Sequence, residues 1–555
     1  MLGFFERLDA LAETNHGPSS VRWLERIAFV FLILMIVSAP HSIAATQIAW
    51  LTGMFAWMIS VVLRWQSGNL RVGGAPRALS IALWLLFAWS VVTSLTSYAP
   101  DISINKLRGA AVFLIFYFVF YNVRNRRAAY FLAYALIVSC VVNVLWTPVQ
   151  RLIGRGVEIH GLAPDGPLAK ARLLDGDTLL EANGKKLRTP QDVLAAVKGN
   201  EVTKVKFYRP DFDFVVDVKR ADLLEGGDVI SQLGISTWKK SRNWRSSGFY
   251  GHYTTYAEVL QLIASLVMGL LVASIARRSF RRKHHPDAAT RRHGDAESSD
   301  HGIPAPERLP FSLSPLLPFS PSLLLFISLA AMSLALLLTV TRASQLAFLI
   351  SAAVIVMAGL GRKWLLAAAA IGLPIAIVSL MFLQQSRQVG FFDTKDESIR
   401  WRQTVWREGF DLWTSSPRNL VFGVGMDSIK RYAGEWHMFD DGRLNMGHFH
   451  STPLNLVVER GLPALLLWLT VLGVYARTLW RGLRRAEDWR SRGILLGCLG
   501  GAIGFFTSGL VHYNLGDQEV AMMFFLLMGI GVKSIESGES IESIESLTRQ
   551  TDATR

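Results

Sequence analysis

Residues 27–63 read IAFVFLILMIVSAPHSIAATQIAWLTGMFAWMISVVL, and none of them is Asp, Glu, Lys or Arg. A helix needs about 20 consecutive apolar residues to cross the hydrocarbon core of a bilayer. This stretch is long enough for two such helices, which we place at 25–42 and 45–63. The segment that precedes them carries Glu6, Asp9 and Glu13 and has no apolar core, so we do not expect a signal peptide.

The rest of the chain continues the same pattern. It is 51% hydrophobic and only 18% charged, whereas soluble proteins carry about 25% charged residues. Two cysteines exclude a disulfide framework and a CxxC metal site, and we expect both to be buried. We predict an all-α polytopic membrane protein of about 12 transmembrane helices, with one small inserted α+β domain. The other predicted spans are 78–98, 107–122, 128–148, 256–276, 321–340, 343–361, 364–383, 453–475, 493–512 and 518–533.

Basic residues set the predicted orientation, because Lys and Arg accumulate in cytoplasmic loops. With twelve spans and a cytoplasmic N-terminus, every strongly basic loop falls in the cytoplasm, and so does the C-terminus. The net charge of +15 is then mainly a topology signal, and we expect no nucleic-acid partner. The predicted basic loops are 64–77, 122–127, 277–292, 361–363 and 477–492. The predicted domains are 1–148 (helices 1–5), 149–225 (insert), 226–383 (helices 6–9, with a cytoplasmic linker at 277–310), 384–452 (outer catalytic loop), 453–533 (helices 10–12) and 534–555 (disordered tail).

The insert contains short β-rich runs around one helical stretch, 191–198. Residues 163–197 of the insert resemble a PDZ domain, and their sequence is APDGPLAKARLLDGDTLLEANGKKLRTPQDVLAAV. Asn183-Gly184 is a strong hairpin turn, because both residues tolerate positive φ. PDZ domains bind peptides by strand addition at a sheet edge, so a periplasmic protein or peptide is a possible partner. The usual Gly-Leu-Gly-Phe loop is missing, and a spacer or docking domain is the alternative.

Several basic side chains lie at predicted outer helix ends. Arg342 is the sharpest case, because its surroundings are apolar and a buried arginine is costly unless it is paired or faces water. Snorkelling to the headgroups is the plain explanation, and phosphate binding is the functional one. The other members of this outer group are Arg245, Arg400, Arg402 and His450. Together they suggest an anionic, lipid-linked substrate, with histidine as a general base.

Four motifs in this group resemble one family. The stretches are RSSGFYGHYTTYA (245–257), TRAS (341–344), RQTVW (402–406) followed by SPRNLVFGVG (416–425), and HSTPLNLVVERG (450–461). In order and spacing they resemble the motifs of the O-antigen ligase and polymerase superfamily. Ser451, Pro453 and the His252-Tyr253-Thr254 triplet depart from the family pattern. A lone Gly423-Val-Gly425 is weak evidence for a phosphate loop, and we expect a tight turn there.

The resemblance implies a lipid-carrier glycosyltransferase at the periplasmic face of the bacterial inner membrane. A glycan on undecaprenyl diphosphate would pass to an acceptor hydroxyl, in the ligase the lipid A–core of lipopolysaccharide, with inversion at the anomeric carbon. It implies that Arg245, Arg342 and Arg402 hold the diphosphate and that His450 is catalytic. Arg400 and His252 are secondary candidates. A structural role for His450, capping the tenth span, is the alternative.

No carboxylate pair has metal-ligand spacing, so we expect a metal-independent enzyme without a cofactor. A metal at His448-x-His450 is conceivable, but no third ligand is evident. Rival functions stay open. A polymerase would use a glycan acceptor, and a protein O-oligosaccharyltransferase would use Ser or Thr. A lipid-linked glycan transporter would typically show internal repeats and charges in mid-span, whereas the notable charges here lie at outer helix ends. A PDZ-type membrane scaffold would need neither Arg342 nor His450.

Overall fold

The computed structural model is mainly helical and divides into two compact units. One contains residues 1–141, 249–337 and 341–555, and the other contains 142–248 and 338–340. The residues that the structure describes are 2–13, 18–67, 74–209, 212–242, 244–284, 320–367, 369–370, 372, 397–444 and 446–535. Most of the predicted span 364–383, the start of the loop 384–452, and most of the linker 277–310 and of the tail 534–555 lie outside them.

The apolar runs form long helices. Nine helices in the described part of the chain are long and apolar enough to cross a membrane, which identifies a multi-pass membrane protein. They begin and end close to predicted spans, because each apolar run is bounded by charged or turn residues. These helices are α3 (Ile43–Gln66), α4 (Arg77–Leu95), α5–α6 (Pro100–Ala110, a 3-10 turn, and Leu114–Asn122), α7 (Arg126–Ile153), α11 (Tyr253–His284), α12 (Pro321–Leu338), α13 (Arg342–Gly359), α18 (Thr452–Arg485) and α19 (Trp489–Gly509).

Two further predicted spans are helices that fall short of that criterion. Helix α2 (Ser19–Ser38) contains Arg22, Glu25 and Arg26, and helix α20 (Gln518–Lys533) has only 16 residues. Buried Glu25 explains how α2 tolerates its charges, since Arg64 and Arg124 both bridge to its Oε1 atom. The other short helices are α1 (Leu2–Ala12), α14 (Glu397–Thr414), α15 (Pro417–Phe422), α16 (Ile429–Tyr432) and α17 (Met438–Asp441).

Small residues let α11 and α19 pack closely. A Cβ added to Gly493 would lie 2.7 Å from the Cα of Leu270, and one added to Gly497 would lie 2.5 Å from the Cα of Leu266. Such Gly-xxx-Gly contacts are typical of membrane helix pairs, where close backbone approach replaces the hydrophobic effect as the source of stability. The two cysteines, Cys140 and Cys498, are free and buried, as predicted.

The second unit contains a six-stranded antiparallel sheet in the order β5-β4-β2-β1-β6, with β3 paired to β2. Asn183 and Gly184 both have positive φ and join β2 to β3, which confirms the predicted hairpin. The PDZ assignment itself remains a prediction. The strands and helices are β1 (Arg155–His160), α8 (Pro167–Lys170), β2 (Thr178–Ala182), β3 (Lys185–Lys186), α9 (Pro190–Lys198), β4 (Val202–Arg209), β5 (Phe212–Lys219), α10 (Val229–Leu233) and β6 (Thr237–Ser241).

The end of this unit folds back over its own sheet. Helix α10 packs on α9, and β6 pairs with β1 as an outer strand. Leu233 and Ile235 enter the same core as Val193 and Val197 of α9. The chain therefore covers α9 with its own residues and extends the sheet to Ser241, beyond the predicted end of the insert at 225.

Candidate active site

His450 lies in a tight turn before α18. Its φ of 47° is rare for a residue with a side chain, so the surrounding contacts must hold it. The carbonyl oxygen of Phe449 accepts the Trp406 indole N–H at 2.9 Å, and the N–H of Phe449 donates to Asn455 Oδ1 at 3.4 Å. Ser451, whose hydroxyl accepts the N–H of Leu454, is the residue that caps α18. The capping role therefore belongs to Ser451, and the imidazole of His450 is not needed for it.

Helix α14 supplies the neighbouring arginine. The ring of Trp401 meets the ring of His450 edge-on at 4.9 Å, and the guanidinium of Arg402 lies 4.5 Å from the centre of the Trp401 ring. Trp401 thus contacts both the histidine and the cation. Arg400 is exposed at the start of the same helix. Of the two predicted alternatives, Arg402 is the one whose charge acts on His450.

The two histidines of the turn favour the neutral form. Their ring centres are 4.1 Å apart, and the N–H of His450 donates to His448 Nδ1 at 3.2 Å. Burial, together with the charges of His448 and Arg402, lowers the pKa of His450 to about 2. Burial and the charge of Lys430 lower the pKa of His448 to about 4. A neutral imidazole can accept a proton, which is the state that a general base needs.

A second cationic group borders His448. Lys430 and Lys106 both bridge to Asp427 Oδ2, at 2.9 and 3.0 Å. Burial raises the pKa of Asp427, but these two ammonium groups outweigh it and leave the pKa below its usual value. Arg402, Lys106 and Lys430 thus place three cations near the two histidines, and the last two share one carboxylate, Asp427. Such a site favours an anionic ligand.

The backbone of Gly423-Val424-Gly425 hydrogen-bonds to α18 at a break in that helix, and we call this contact the lock between the loop and α18. Gly461 has φ 74° and ψ 176°, so the helix is interrupted there and carbonyl groups before the break lose their helical partners. The N–H of Val424 donates to the carbonyl of Val458 at 2.7 Å, and that of Gly425 donates to the carbonyl of Glu459 at 2.9 Å. The segment is therefore a tight packing element, as expected, in the loop between α14 and His450.

Glu459 links this lock to the turn. It is buried, and its carboxylate accepts the N–H of Asp427 at 3.3 Å and the hydroxyl of Tyr513 at 3.0 Å. The Tyr513 ring lies 5.7 Å from the ring of His448. Glu459 and Gly461 of the 450–461 motif thus hold the loop in place, and His450 is the member of that motif at the candidate active site.

A buried carboxylate–imidazole pair was not predicted from the sequence. Nδ1 of His512 lies 2.6 Å from Oε1 of Glu258, and both side chains are almost fully buried. The backbone carbonyl of His512 accepts the N–H and the hydroxyl of Thr452, two residues after His450. The available signal was Glu258 itself, because an acid inside an apolar span is rare without a function.

A comparison with known families gives a match within this part of the chain. Residues 327–469 match a family model described as O-antigen ligase. Over these residues the chain is similar to the O-antigen ligase family. A search of curated proteins finds no match. The matched O-antigen ligase segment contains Arg342, Arg400, Arg402 and His450, together with the lock between the loop and α18.

The remaining predicted residues lie outside the matched segment or away from the turn. Arg342 is the first residue of α13, a helix that packs on α11 and α19. His252, just before α11, is exposed, and its charge acts on His450. Arg245 belongs to the sheet-containing unit, beside Ser246, whose hydroxyl accepts Arg151 Nε at 3.1 Å. Within the described ranges, no three His, Cys, Asp or Glu side chains are grouped as metal ligands.

Proposed function

We propose that this protein transfers a glycan from undecaprenyl diphosphate to an acceptor hydroxyl at the periplasmic face of the bacterial inner membrane. The similarity of residues 327–469 to the O-antigen ligase family supports a glycosyltransferase with a lipid-linked donor. Ligation to the lipid A–core of lipopolysaccharide is the reaction we assign first. The observation that carries the proposal is the neutral His450 imidazole, held by a strained turn beside the Arg402 guanidinium.

The reaction needs one base and a set of cations. The acceptor hydroxyl attacks the anomeric carbon and forms the new glycosidic bond, while the bond from that carbon to the diphosphate breaks. The imidazole of His450 takes the hydroxyl proton, and undecaprenyl diphosphate leaves with both electrons of the broken bond. A single displacement inverts the anomeric carbon, and no metal is required in this scheme.

Arginines suit the diphosphate, because the guanidinium fork matches phosphate oxygens and stays charged. We assign Arg402 and Arg342 to this role, with Arg245 as a third ligand. Arg342 begins an 18-residue helix whose N-terminal N–H groups add positive potential for an anion. Bound diphosphate would also raise the pKa of His450, because its negative charge offsets that of Arg402. The donor would thus strengthen the base that the reaction uses.

The proposed topology has twelve spans with both termini in the cytoplasm. The positions of the basic loops support it, since all five strongly basic loops then face the cytoplasm. Helices α2 and α20 would then span the membrane alongside the nine apolar ones, and the predicted span 364–383, most of which lies outside the described residues, would be the twelfth. The His450 turn, before α18, falls on the periplasmic side in this topology.

The insert would serve as a spacer or docking domain. A peptide partner has less support, because α10 covers α9 and β6 occupies the sheet edge beside β1. Peptide capture by strand addition would need a free edge there.

Reconstituted transfer tests the proposal. Purified protein receives undecaprenyl-diphosphate-linked glycan and lipid A–core, with and without EDTA, and the product is measured by mass spectrometry. We expect wild-type product to persist in EDTA, and His450→Ala and Arg342→Ala to lose it. His160→Gln, in the sheet of the insert, and Arg443→Ala, on an exposed turn, are the controls and should keep it. Longer glycans without core transfer would assign a polymerase, and no turnover would reject the proposal.

A further inference from the structure

A cleft separate from the His450 turn lies between helices α14 to α17 and the segment that follows α4. Its space is about 980 Å³, counting the part that opens to solvent. The walls come from α14, from the turn before α15, and from the residues around α16 and α17. The lining residues that matter here are Tyr98, Glu408, Asp411, Asn419, Glu435 and Trp436.

Aromatic rings form one wall of the cleft. Trp436 stacks on Tyr432 with ring centres 5.2 Å apart, and Tyr98 meets Trp436 edge-on at 5.4 Å. The hydroxyl of Tyr432 donates to the carbonyl of Tyr98 at 3.1 Å, which fixes the two segments together. These contacts hold the Trp436 ring in place before any ligand arrives. A rigid aromatic surface of this kind binds ligands at a low cost in entropy.

Polar acceptors lie beside the aromatic wall. The carboxylates of Asp411 and Glu435 belong to exposed residues, whereas Asn419 is buried at the base and accepts the Tyr98 hydroxyl at 3.3 Å. Glu408 has a structural role, because its two oxygens accept the N–H groups of Phe439 and Asp440 at 2.6 and 3.0 Å. Those hydrogen bonds stabilise a turn in which both residues have positive φ.

This chemistry fits a sugar chain. The C–H faces of a pyranose pack on aromatic rings, and its hydroxyl groups donate hydrogen bonds to carboxylates and amides. A phosphate group or an anionic lipid headgroup would be repelled by Asp411 and Glu435. An acyl chain has no hydrogen-bond donor to offer those carboxylates. A neutral glycan, or one that carries amino sugars, can pack on the aromatic rings and also donate hydrogen bonds to the carboxylates.

Helix α14 connects the cleft to the candidate active site. Arg402 and Trp406 lie on the part of α14 near His450, and Glu408 and Asp411 lie further along it. At 1.5 Å per residue, Glu408 and Asp411 are roughly 9 to 14 Å from Arg402 along the helix axis. A ligand in the cleft would therefore lie several sugar units from the diphosphate.

We propose that this cleft binds the glycan chain of the donor, beyond the sugar that reacts. The inference rests on the proposed function for its biological meaning, but the binding site can be tested by itself. It makes Trp436, Tyr98, Asp411 and Glu435 determinants of chain-length preference. The reacting sugar, held near Arg402, does not touch them.

The test compares two donors on the full-length protein. One carries a single sugar on undecaprenyl diphosphate, and the other carries several repeat units. We expect Trp436→Ala to lower kcat/KM for the long donor about tenfold or more, as for an aromatic anchor removed from a binding site. The same variant should leave the single-sugar donor within about twofold. Phe410→Ala removes an exposed ring of α14 that does not line the cleft, and should leave both donors unaffected.

A second pair of variants guards against misfolding. Asp411→Asn and Glu435→Gln change only exposed carboxylates, and we expect both to weaken the long donor selectively. Direct binding is measured by thermophoresis, with polysaccharide released by mild acid from the cells that make this protein. Equal kcat/KM for the long donor in wild type, Trp436→Ala and Glu435→Gln would overturn the inference. Polysaccharide binding that is lost in Trp436→Ala, without transfer by wild type, would support the cleft and reject the proposed function.

Discussion

The lock between the loop and α18 predicts a strong effect of Gly461→Ala. Gly461 has a φ of 74° and a ψ of 176°, a backbone conformation that is essentially restricted to glycine. A Cβ there would overlap the carbonyl oxygen of Val421. The substitution must therefore move α15 away from α18 or change the backbone at the helix break.

The size of the effect follows from these contacts. Backbone strain at such a position costs about 1–3 kcal/mol. Displacing α15 also weakens the hydrogen bonds from Val424 to Val458 and from Gly425 to Glu459, at about 0.5–1.5 kcal/mol each. We expect a loss of about 2–6 kcal/mol in the free energy of unfolding, against a typical total of about 5–15 kcal/mol.

Thermal unfolding in detergent, followed by tryptophan fluorescence, measures this loss. Gly473→Ala is the matched control on the same helix, because a Cβ at Gly473 meets no atom within 4 Å. We expect Gly461→Ala to lower Tm by at least ~5 °C and Gly473→Ala to leave it unchanged or raise it. Equal Tm values for the two variants would refute the lock as described.

Further predictions concern the chemistry. Glu258→Gln keeps a hydrogen-bond acceptor for His512 but removes its charge. We expect kcat to fall about 100-fold with little change in KM, because the charged pair assists proton transfer, and full activity would show that the pair is only structural. Arg402→Lys loses the guanidinium fork and should lower kcat/KM for the donor about 10-fold or more, whereas Arg400→Lys should have less than a twofold effect; the reverse order would assign the diphosphate to Arg400. The pKa of His450 lies below its unfolded value of about 6.5, so kcat/KM should stay flat from pH 8 to about pH 5. The contribution of His450 to stability is complete above pH 6.5 and decreases as pH falls toward 2, since the unfolded chain takes up the proton. A fall in wild-type kcat/KM below about pH 6.5 that is absent in a His450 variant would contradict this prediction.

Local patterns predicted the helices well. Apolar runs gave α3, α4, α7 and α11 within a few residues, because membrane length and flanking charges fix such helices independently of their neighbours. The Asn183-Gly184 hairpin was equally local. Helix α2 shows the limit of this reasoning, since its charges are stabilised by Arg64 and Arg124 from distant parts of the sequence.

The candidate site was predictable in part. Order and spacing of motifs led to Arg402 and His450, which the structure brings together around Trp401. The pairing of Glu258 with His512 could not be predicted, because 254 positions separate them and only the packing of the helices brings them into contact. Sequence also gave no sign that Glu459 and Gly461 hold the loop.

Transfer by His450→Ala tests the central claim most directly. The measurement is a single-turnover rate in proteoliposomes with saturating undecaprenyl-diphosphate-linked glycan and lipid A–core. Binding of the donor to the variant is measured in parallel. We predict that the rate of transfer falls by about 100-fold or more while donor binding is retained, as for the loss of a general base. A variant that transfers glycan at the wild-type rate would show that His450 is not the base and would contradict the account.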